Sequence, residues 1–212
     1  RDLNAVTMGA SRAGALWRAN IGSREVQGWF SWRQAAQGQR AGSLTARLTR
    51  LEIARSRAGE VESLLDTSPQ ELPGLAVAAD EFVLFDRRLR ALSLQATNSA
   101  RGARPVWTLE RLRIEHPSAR FTASGTWAAA ALGSGRNTRL DFELDLADAG
   151  GLLATFGIEE AVRGGAGRIA GDLHWSGSPL ALDYATLGGS MALKLGKGQF
   201  LKKDPGIAKR IG

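Results

Sequence analysis

The feature that most constrains this chain is an alternation of apolar and polar residues that recurs along most of its length. Residues 140–146 read Leu-Asp-Phe-Glu-Leu-Asp-Leu, so an acidic residue separates each apolar side chain from the next. Because successive side chains of a β-strand point to opposite faces, this pattern predicts a strand with one apolar and one hydrophilic face. The same alternation predicts further strands over residues 13–21, 26–33, 44–53, 75–79, 81–85, 89–97, 107–115, 121–127, 169–175 and 191–195.

The first three of these segments are predicted to form an antiparallel meander, and two of their details carry structural expectations. In the first segment Ala13 and Trp17 would share one side of a single strand, with Arg12 on the other. In the third segment the apolar phase slips by one residue between Leu48 and Leu51. Because a bulge inserts one extra residue into a strand, this slip suggests a β-bulge or a change of strand.

One or two short α-helices are expected among the strands. Asp148 can cap a helix over residues 149–156, and a glycine follows that segment. An Asp-Pro pair introduces a second short helix over residues 206–210, where proline suits the first turn. The sequence therefore predicts a mostly β protein, a mainly antiparallel sheet with one or two short helices. The apolar side chains expected to pack the first helix on the sheet are Leu152, Leu153 and Phe156.

The alternation divides the chain into two stretches of strands. Residues 1–60 are predicted to form an N-terminal β-meander segment, and residues 61–74, which contain two prolines, a linker or crossover. Residues 75–212 then form a second β-segment, with the helix near 149–156. Because the chain starts without methionine and stops in mid-pattern, we expect it to be a fragment of a larger protein.

The sequence contains no recognisable set of catalytic or metal-binding residues. The chain has no cysteine, and its two histidines, His116 and His174, have no second ligand at metal-binding spacing. The acidic trio Asp141, Glu143 and Asp145 fits the solvated side of an amphipathic strand. The glycine-rich run at 164–167 precedes a strand, whereas a phosphate loop precedes a helix. We therefore expect no catalytic residue, no metal and no cofactor, and a protein that is not an enzyme.

The positive charge raises the question of an anionic partner. The formal net charge is +7, and the arginines are scattered singly along the alternating segments. Most aromatic residues are expected on the opposite side of their strands from the arginines. A surface that stacks nucleic-acid bases would combine both on one face, so no nucleic acid is expected as partner.

The C-terminal third carries specific sequence phrases. Residues 196–206 read Gly-Lys-Gly-Gln-Phe-Leu-Lys-Lys-Asp-Pro-Gly, and residues 140–153 and 171–179 carry further phrases of the same kind. Upstream, a strand led by a tryptophan at 107–114 precedes one that ends in Gly-Thr-Trp at 119–127. These phrases resemble YhdP-type proteins of the AsmA-like family, and the resemblance extends over residues 75–212. They are structural motifs and identify no active residue.

This resemblance implies a fold and a function. Members of this type look like bridge-like lipid transfer proteins, in which a curled, taco-like sheet forms a β-groove lined with apolar side chains. They are associated with phospholipid transport towards the outer membrane and with outer-membrane biogenesis. The resemblance implies that this chain is the periplasmic part of an inner-membrane-anchored envelope protein of a Gram-negative bacterium. It also implies phospholipid as the bound partner.

Two interpretations of the apolar strand positions are open at this point. They can line a lipid groove, or they can form the sealed core of a β-sandwich. Correspondingly, the chain can bind lipid, or it can be a structural or interaction module that assists outer-membrane assembly with inner- or outer-membrane proteins. The candidate groove residues are Trp17, Phe30, Trp32, Phe121, Trp127, Leu140, Phe142, Leu144, Leu146 and Trp175.

Overall fold

The structure is a computed structural model that describes residues 7–37, 41–55, 72–99, 106–129, 136–158, 162–179, 182–196 and 198–200. Most of these residues belong to β-strands. The strands are β1 Thr7–Ala13, β2 Leu16–Gly22, β3 Val26–Arg33, β4 Ser43–Ile53, β5 Gly74–Leu84, β6 Arg87–Leu89, β7 Leu92–Ser99, β8 Val106–His116, β9 Ala119–Ala129, β10 Arg136–Leu146, β11 Val162–Gly164, β12 Gly167–Ser176, β13 Gly188–Leu195 and β14 Gly198–Phe200; the helix is α1, Ala149–Thr155.

Twelve of the strands form one open, curled sheet, which confirms the predicted fold class. Its order is β1-β2-β3-β4-β5-β7-β8-β9-β10-β12-β13, with β6 paired to β5 outside this path. All pairs are antiparallel except β4 with β5, which are parallel. Parallel neighbours require the chain between them to return to the starting end of the sheet. A separate two-stranded sheet pairs β11 with β14.

The sheet is continuous across β4 and β5. Buried Ala46 and Leu48 of β4 belong to one apolar cluster with Ala79 and Phe82 of β5. Most of the predicted 61–74 linker lies outside the described residues, so the boundaries of the two sequence segments stay a prediction.

A β-bulge explains the phase slip in β4. Gly28 pairs with Leu48, whereas the preceding Gln27 pairs with Arg50, so Thr49 is the extra residue. Leu48 and Leu51 can therefore both pack in the same cluster although three positions separate them. A second bulge lies in β8, where the register shifts between residues 109 and 112. The bulge predicted from the sequence is confirmed.

The prediction for the first segment is wrong, because it contains a hairpin. The β1 strand ends at Ala13, and a turn with Gly14 at φ +59° leads into β2. The register pairs Arg12 with Trp17, so these side chains lie on the same face. Apolar alternation runs through both strands of this hairpin, and Gly14, with its left-handed backbone, is the residue that permits the tight turn.

Smaller differences concern the strand count. The predicted strands over 75–79 and 81–85 are a single strand, β5, because the apolar phase changes at residue 80 without interrupting the sheet. The short strands β6, β11 and β14 were not predicted, since three residues are too few to reveal a period.

The helix forms where predicted, one residue shorter. The Asp148 carboxylate accepts a hydrogen bond from the Gly151 backbone N–H at 3.0 Å, as an N-cap does. Leu152 and Leu153 are half-buried, but Phe156 is 49% exposed, so its assignment to the core is wrong. The physical reason is position: α1 lies beyond the strand ends rather than across a sheet face.

Two further observations concern helices. The second predicted helix, over residues 206–210, lies outside the described residues. Across the described part of the chain, no helix combines the length and apolar character needed to span a membrane.

Candidate apolar trough

One face of the sheet is apolar from edge to edge. The strand register aligns one side chain from each of eleven strands in a row that crosses the sheet, and no member of this row is polar. We call the side that holds this row the apolar face, and the other side the polar face. The row runs Ala10, Ala19, Phe30, Ala46, Val77, Leu94, Leu112, Ala123, Phe142, Gly171 and Met191.

The apolar face has no second layer of matching size among the described residues, where only α1 and the β11–β14 pair lie outside the sheet. Small side chains on this face are buried by their neighbours, as with Ala79 at 2% exposure. Among the larger ones, Phe82 is buried in the central cluster, whereas Leu140 and Leu144 remain partly exposed. At the edge strand β13, Met191 is 68% exposed. The curled sheet therefore presents an apolar face that the chain itself covers only partly, and we call this face the trough.

The dimensions of this face suit hydrocarbon. Eleven strands spaced by about 4.8 Å extend over about 48 Å across the sheet. One leaflet of a bilayer is about 15 Å of hydrocarbon, half the thickness of the membrane core. A face of this width thus has room for several acyl chains side by side.

Tryptophan is concentrated at one border of the apolar face. The register pairs Trp17 with Trp32 and Trp107 with Trp127, while Thr138 joins Trp127 to Trp175. All five tryptophans lie at the same end of their strands, the end opposite α1. We call them the tryptophan border; the sixth tryptophan of the chain, Trp29, lies on the polar face.

Part of this border is sealed by the chain. Trp107, Trp127 and Trp175 are 7%, 0% and 5% exposed. The Trp107 indole N–H donates to the Pro73 carbonyl at 3.0 Å, and that of Trp175 donates to the Ser178 carbonyl at 2.9 Å. These contacts stabilise the rim of the trough over β8, β9 and β12.

All ten predicted groove residues lie on the apolar face. Trp17 is exposed, Trp127 and Trp175 are buried against the chain, and the other seven are half-buried. The rings of Phe121 and Phe142 stack with centroids 6.3 Å apart. The sequence-based selection left out further members of the face that the same alternation marks, namely Met8, Val77, Leu94, Leu112, Met191, Leu193 and Leu195.

The polar face is covered with ion pairs. Arg168 contacts Asp145 at 2.7 Å and Glu143 at 3.5 Å, which raises the pKa of the Arg168 guanidinium. Hydrogen bonding from Arg113, at 2.5 Å, lowers the pKa of Glu115. Such exposed pairs stabilise the fold only slightly. Asp141, Glu143 and Asp145 therefore lie on the hydrophilic side of β10, as the alternation predicts.

His116 joins the sheet to the helix at the border opposite the tryptophans. Its Nδ1 accepts the Ser118 backbone N–H at 3.1 Å, and its Nε2 lies 3.1 Å from the Thr155 hydroxyl. That hydroxyl donates to the Gly151 carbonyl, so the imidazole is neutral with its proton on Nε2. Burial lowers the pKa of His116, in agreement with this state. Within the described ranges, no three acidic, histidine or cysteine side chains cluster as metal ligands.

Comparison with known proteins identifies the family. The family model described as YhdP protein matches residues 1–211. The chain belongs to the YhdP family. No curated protein and no solved structure matches the sequence. The match includes residues 1–60, to which the resemblance described from the sequence does not extend. It confirms the AsmA-like resemblance. YhdP-family proteins are bacterial envelope proteins.

Proposed function

We propose that this chain is a non-enzymatic lipid-binding and lipid-transfer segment of a periplasmic AsmA-like protein. Phospholipid acyl chains lie against the apolar face, and the whole protein, anchored in the inner membrane, supports outer-membrane lipid homeostasis. The observation that carries this proposal is the unbroken apolar row across eleven strands, with large side chains left partly exposed.

Elementary energetics support this use of the face. Removing apolar surface from water contributes about 25 cal/mol per Å², or about 0.8 kcal/mol for each fully buried methylene. The row contains no charge or hydrogen-bonding side chain that would favour one position of the hydrocarbon over another. A bound acyl chain can therefore move along the trough without breaking a specific contact, and transfer needs no catalytic group.

A second candidate function rests on the edges of the sheet. Every residue of β1 is exposed, and so is nearly every residue of β13. Exposed edge strands offer unpaired backbone groups to another chain. They favour the alternative, an interaction module that assists outer-membrane assembly through inner- or outer-membrane proteins without binding lipid.

Native mass spectrometry of the chain purified from bacterial envelopes distinguishes these functions. We expect bound species whose added masses match phospholipids and which disappear after delipidation. Protein that carries no lipid, but that co-purifies with an envelope protein in a fixed ratio, would instead support the interaction module. An envelope-exported soluble β-protein purified in parallel controls for lipid carried over from membranes.

A further inference from the structure

The two borders of the apolar face differ in their chemistry. The five rings of the tryptophan border lie in the two cross-strand rows nearest that end of the strands. The opposite border, which we call the helix border, lies next to α1 and ends in Leu146, Ala119 and His116 on β10, β9 and β8. No tryptophan of the described residues lies at the helix border. A lipid in the trough would therefore meet two different environments at its two sides.

Tryptophan suits a boundary between hydrocarbon and water. Its ring is largely apolar and its indole N–H is polar, so it is enriched where one end of a site is dry and the other wet. In this chain the indole N–H groups of Trp107 and Trp175 hydrogen-bond to backbone carbonyls at the strand ends. These two tryptophans and Trp127 are buried, whereas Trp17 is 39% exposed and Trp32 is half-buried. Over β2 and β3 the border therefore offers an aromatic surface typical of the level at which acyl chains end and headgroups begin.

Positive charge accompanies the tryptophans on the same face. The Arg12 guanidinium lies over the Trp17 ring, with its Cζ 4.9 Å from the ring centroid. The Arg136 guanidinium lies 5.5 Å from the centroid of Trp127. Both arginines sit at the outer end of their strands, where a charged group stays in contact with water. The Asp183 carboxylate, which follows β12 at this border, accepts hydrogen bonds from the Ala185 backbone N–H and the Thr186 hydroxyl.

The helix border has charges of both signs instead. A cleft of about 390 Å³ at this border is lined by Arg90, Arg120, Glu115, Asp145 and His116, among others. Glu115 and Asp145 are engaged by arginines on the polar face. The positive charge of this cleft is therefore offset by neighbouring carboxylates, so an anionic group gains less from charge here than beside Arg12.

We infer that phospholipid headgroups lie at the tryptophan border, with their phosphates near Arg12 and Arg136 and their acyl chains directed towards the helix border. This inference rests on the proposed function, since it assigns an orientation to the lipid that the trough would hold. Arg12 and Arg136 lie eight sheet positions apart, a path of about 38 Å measured along the curled sheet at about 4.8 Å per strand. They would contact different lipids that lie side by side along the trough.

Site-specific quenching tests the orientation directly. The chain has no cysteine, so Gln34→Cys and Met8→Cys each provide one attachment point for a fluorophore. Both residues are exposed; Gln34 follows β3 at the tryptophan border, and Met8 lies on the apolar face near the start of β1, towards the helix border. Each labelled protein is titrated with phosphatidylcholine that carries a nitroxide on the choline group or at the end of one acyl chain.

We expect the headgroup nitroxide to quench the label at 34 more strongly than the label at 8, and the acyl nitroxide to reverse this order. Equal quenching at both positions by the headgroup nitroxide, or stronger quenching at 8, would overturn the orientation while leaving lipid binding intact. Absence of quenching by both lipids would instead contradict the proposed function, and with it the orientation.

Charge removal provides an independent check. We expect Arg12→Gln and Arg136→Gln each to weaken binding to phosphatidylglycerol vesicles by about two- to fivefold, as for a partly exposed charge contact. Arg24→Gln is the matched control, because Arg24 is exposed at the helix end of the β2–β3 hairpin. An equal loss in the control would mean that net charge alone attracts the vesicles, and would overturn a headgroup site at the tryptophan border.

Discussion

The middle and the edges of this sheet share one sequence pattern but differ in burial. In the central strands, Ala79 and Phe82 are 2% and 3% exposed. On β13, Met191 and Leu193 are 68% and 57% exposed, although they occupy the same apolar face. A central side chain has neighbours on both sides, whereas an edge side chain has a neighbour on one side only. The same alternation therefore produces core in the middle and accessible apolar surface at the edge.

This difference separates the residues that stabilise the fold from those available for the proposed lipid contact. Residues of the central cluster hold the sheet together, because their burial removes apolar surface from water in the folded chain itself. Edge and half-buried residues leave that free energy available to a bound molecule or a partner strand. Substitutions in the two regions should consequently change different measured quantities.

The largest expected effect is on stability in the centre. Phe82→Ala should lower the free energy of unfolding by about 3–5 kcal/mol, since it removes a fully buried ring and leaves a cavity. Urea unfolding followed by tryptophan fluorescence measures the change. Met191→Ala on the edge should change it by less than about 0.5 kcal/mol. Similar losses for the two variants would contradict the division into core and accessible surface.

A smaller loss of stability is expected at the bulge. Gly28 has φ +139°, and an added Cβ would lie 2.3 Å from the Arg47 carbonyl oxygen. Gly28→Ala should therefore cost about 1–3 kcal/mol through backbone strain. Gly9→Ala on β1, where an added Cβ meets nothing within 4 Å, is the matched control and should be nearly neutral. An unaffected Gly28→Ala protein would show that the bulge can be rearranged without cost.

Lipid binding should respond at the edge, where stability does not. Met191→Asp places a charge on the apolar face of β13, and Ala192→Asp places the same charge on its polar face. Loss of about 1 kcal/mol of apolar contact corresponds to about fivefold weaker binding of a fluorescent phospholipid in the first variant. The Ala192→Asp variant should bind the phospholipid as tightly as the protein without substitutions. Thermal unfolding should show both variants folded, and equal binding would place the lipid elsewhere.

The smallest effect concerns pH at the helix border. Because burial lowers the pKa of His116, the unfolded chain binds its proton more readily than the folded chain. Stability is therefore complete above the ordinary histidine pKa of about 6.5 and declines as pH falls below it. His116→Gln should reduce this decline in urea unfolding between neutral and mildly acidic pH. If the variant loses as much stability at acidic pH as the original protein, groups other than His116 are responsible for the acid sensitivity.

Much of this fold could be predicted from local alternation. The strands around Phe142 and Trp127 show an unambiguous period of two, and the bulge after Leu48 appears as a break in its phase. The same alternation assigns the ten candidate groove residues to one face. What it cannot predict is which strands become neighbours, as in the parallel pairing of β4 with β5.

The accessibility of individual residues also depends on non-local pairing. Trp127 and Trp175 look like Trp17 in the sequence, but their strands lie among neighbours and the 177–179 turn covers Trp175, so they are buried. Likewise, the tryptophan border arises only when strands from distant parts of the chain align in register. The hairpin at Gly14 shows the converse case, in which a continuous pattern conceals a turn.

Methyl NMR with a spin-labelled lipid tests most directly whether the apolar face is open to hydrocarbon. Phospholipid with a nitroxide at the end of an acyl chain is added to the folded chain with labelled leucine, methionine and alanine methyl groups. We expect the methyl signals of Leu140, Leu144 and Met191 to be attenuated, while the methyl signals of Ala76 and Ala192 on the polar face keep their intensity. Attenuation that is equal on the two faces, or confined to the polar face, would contradict an open apolar trough.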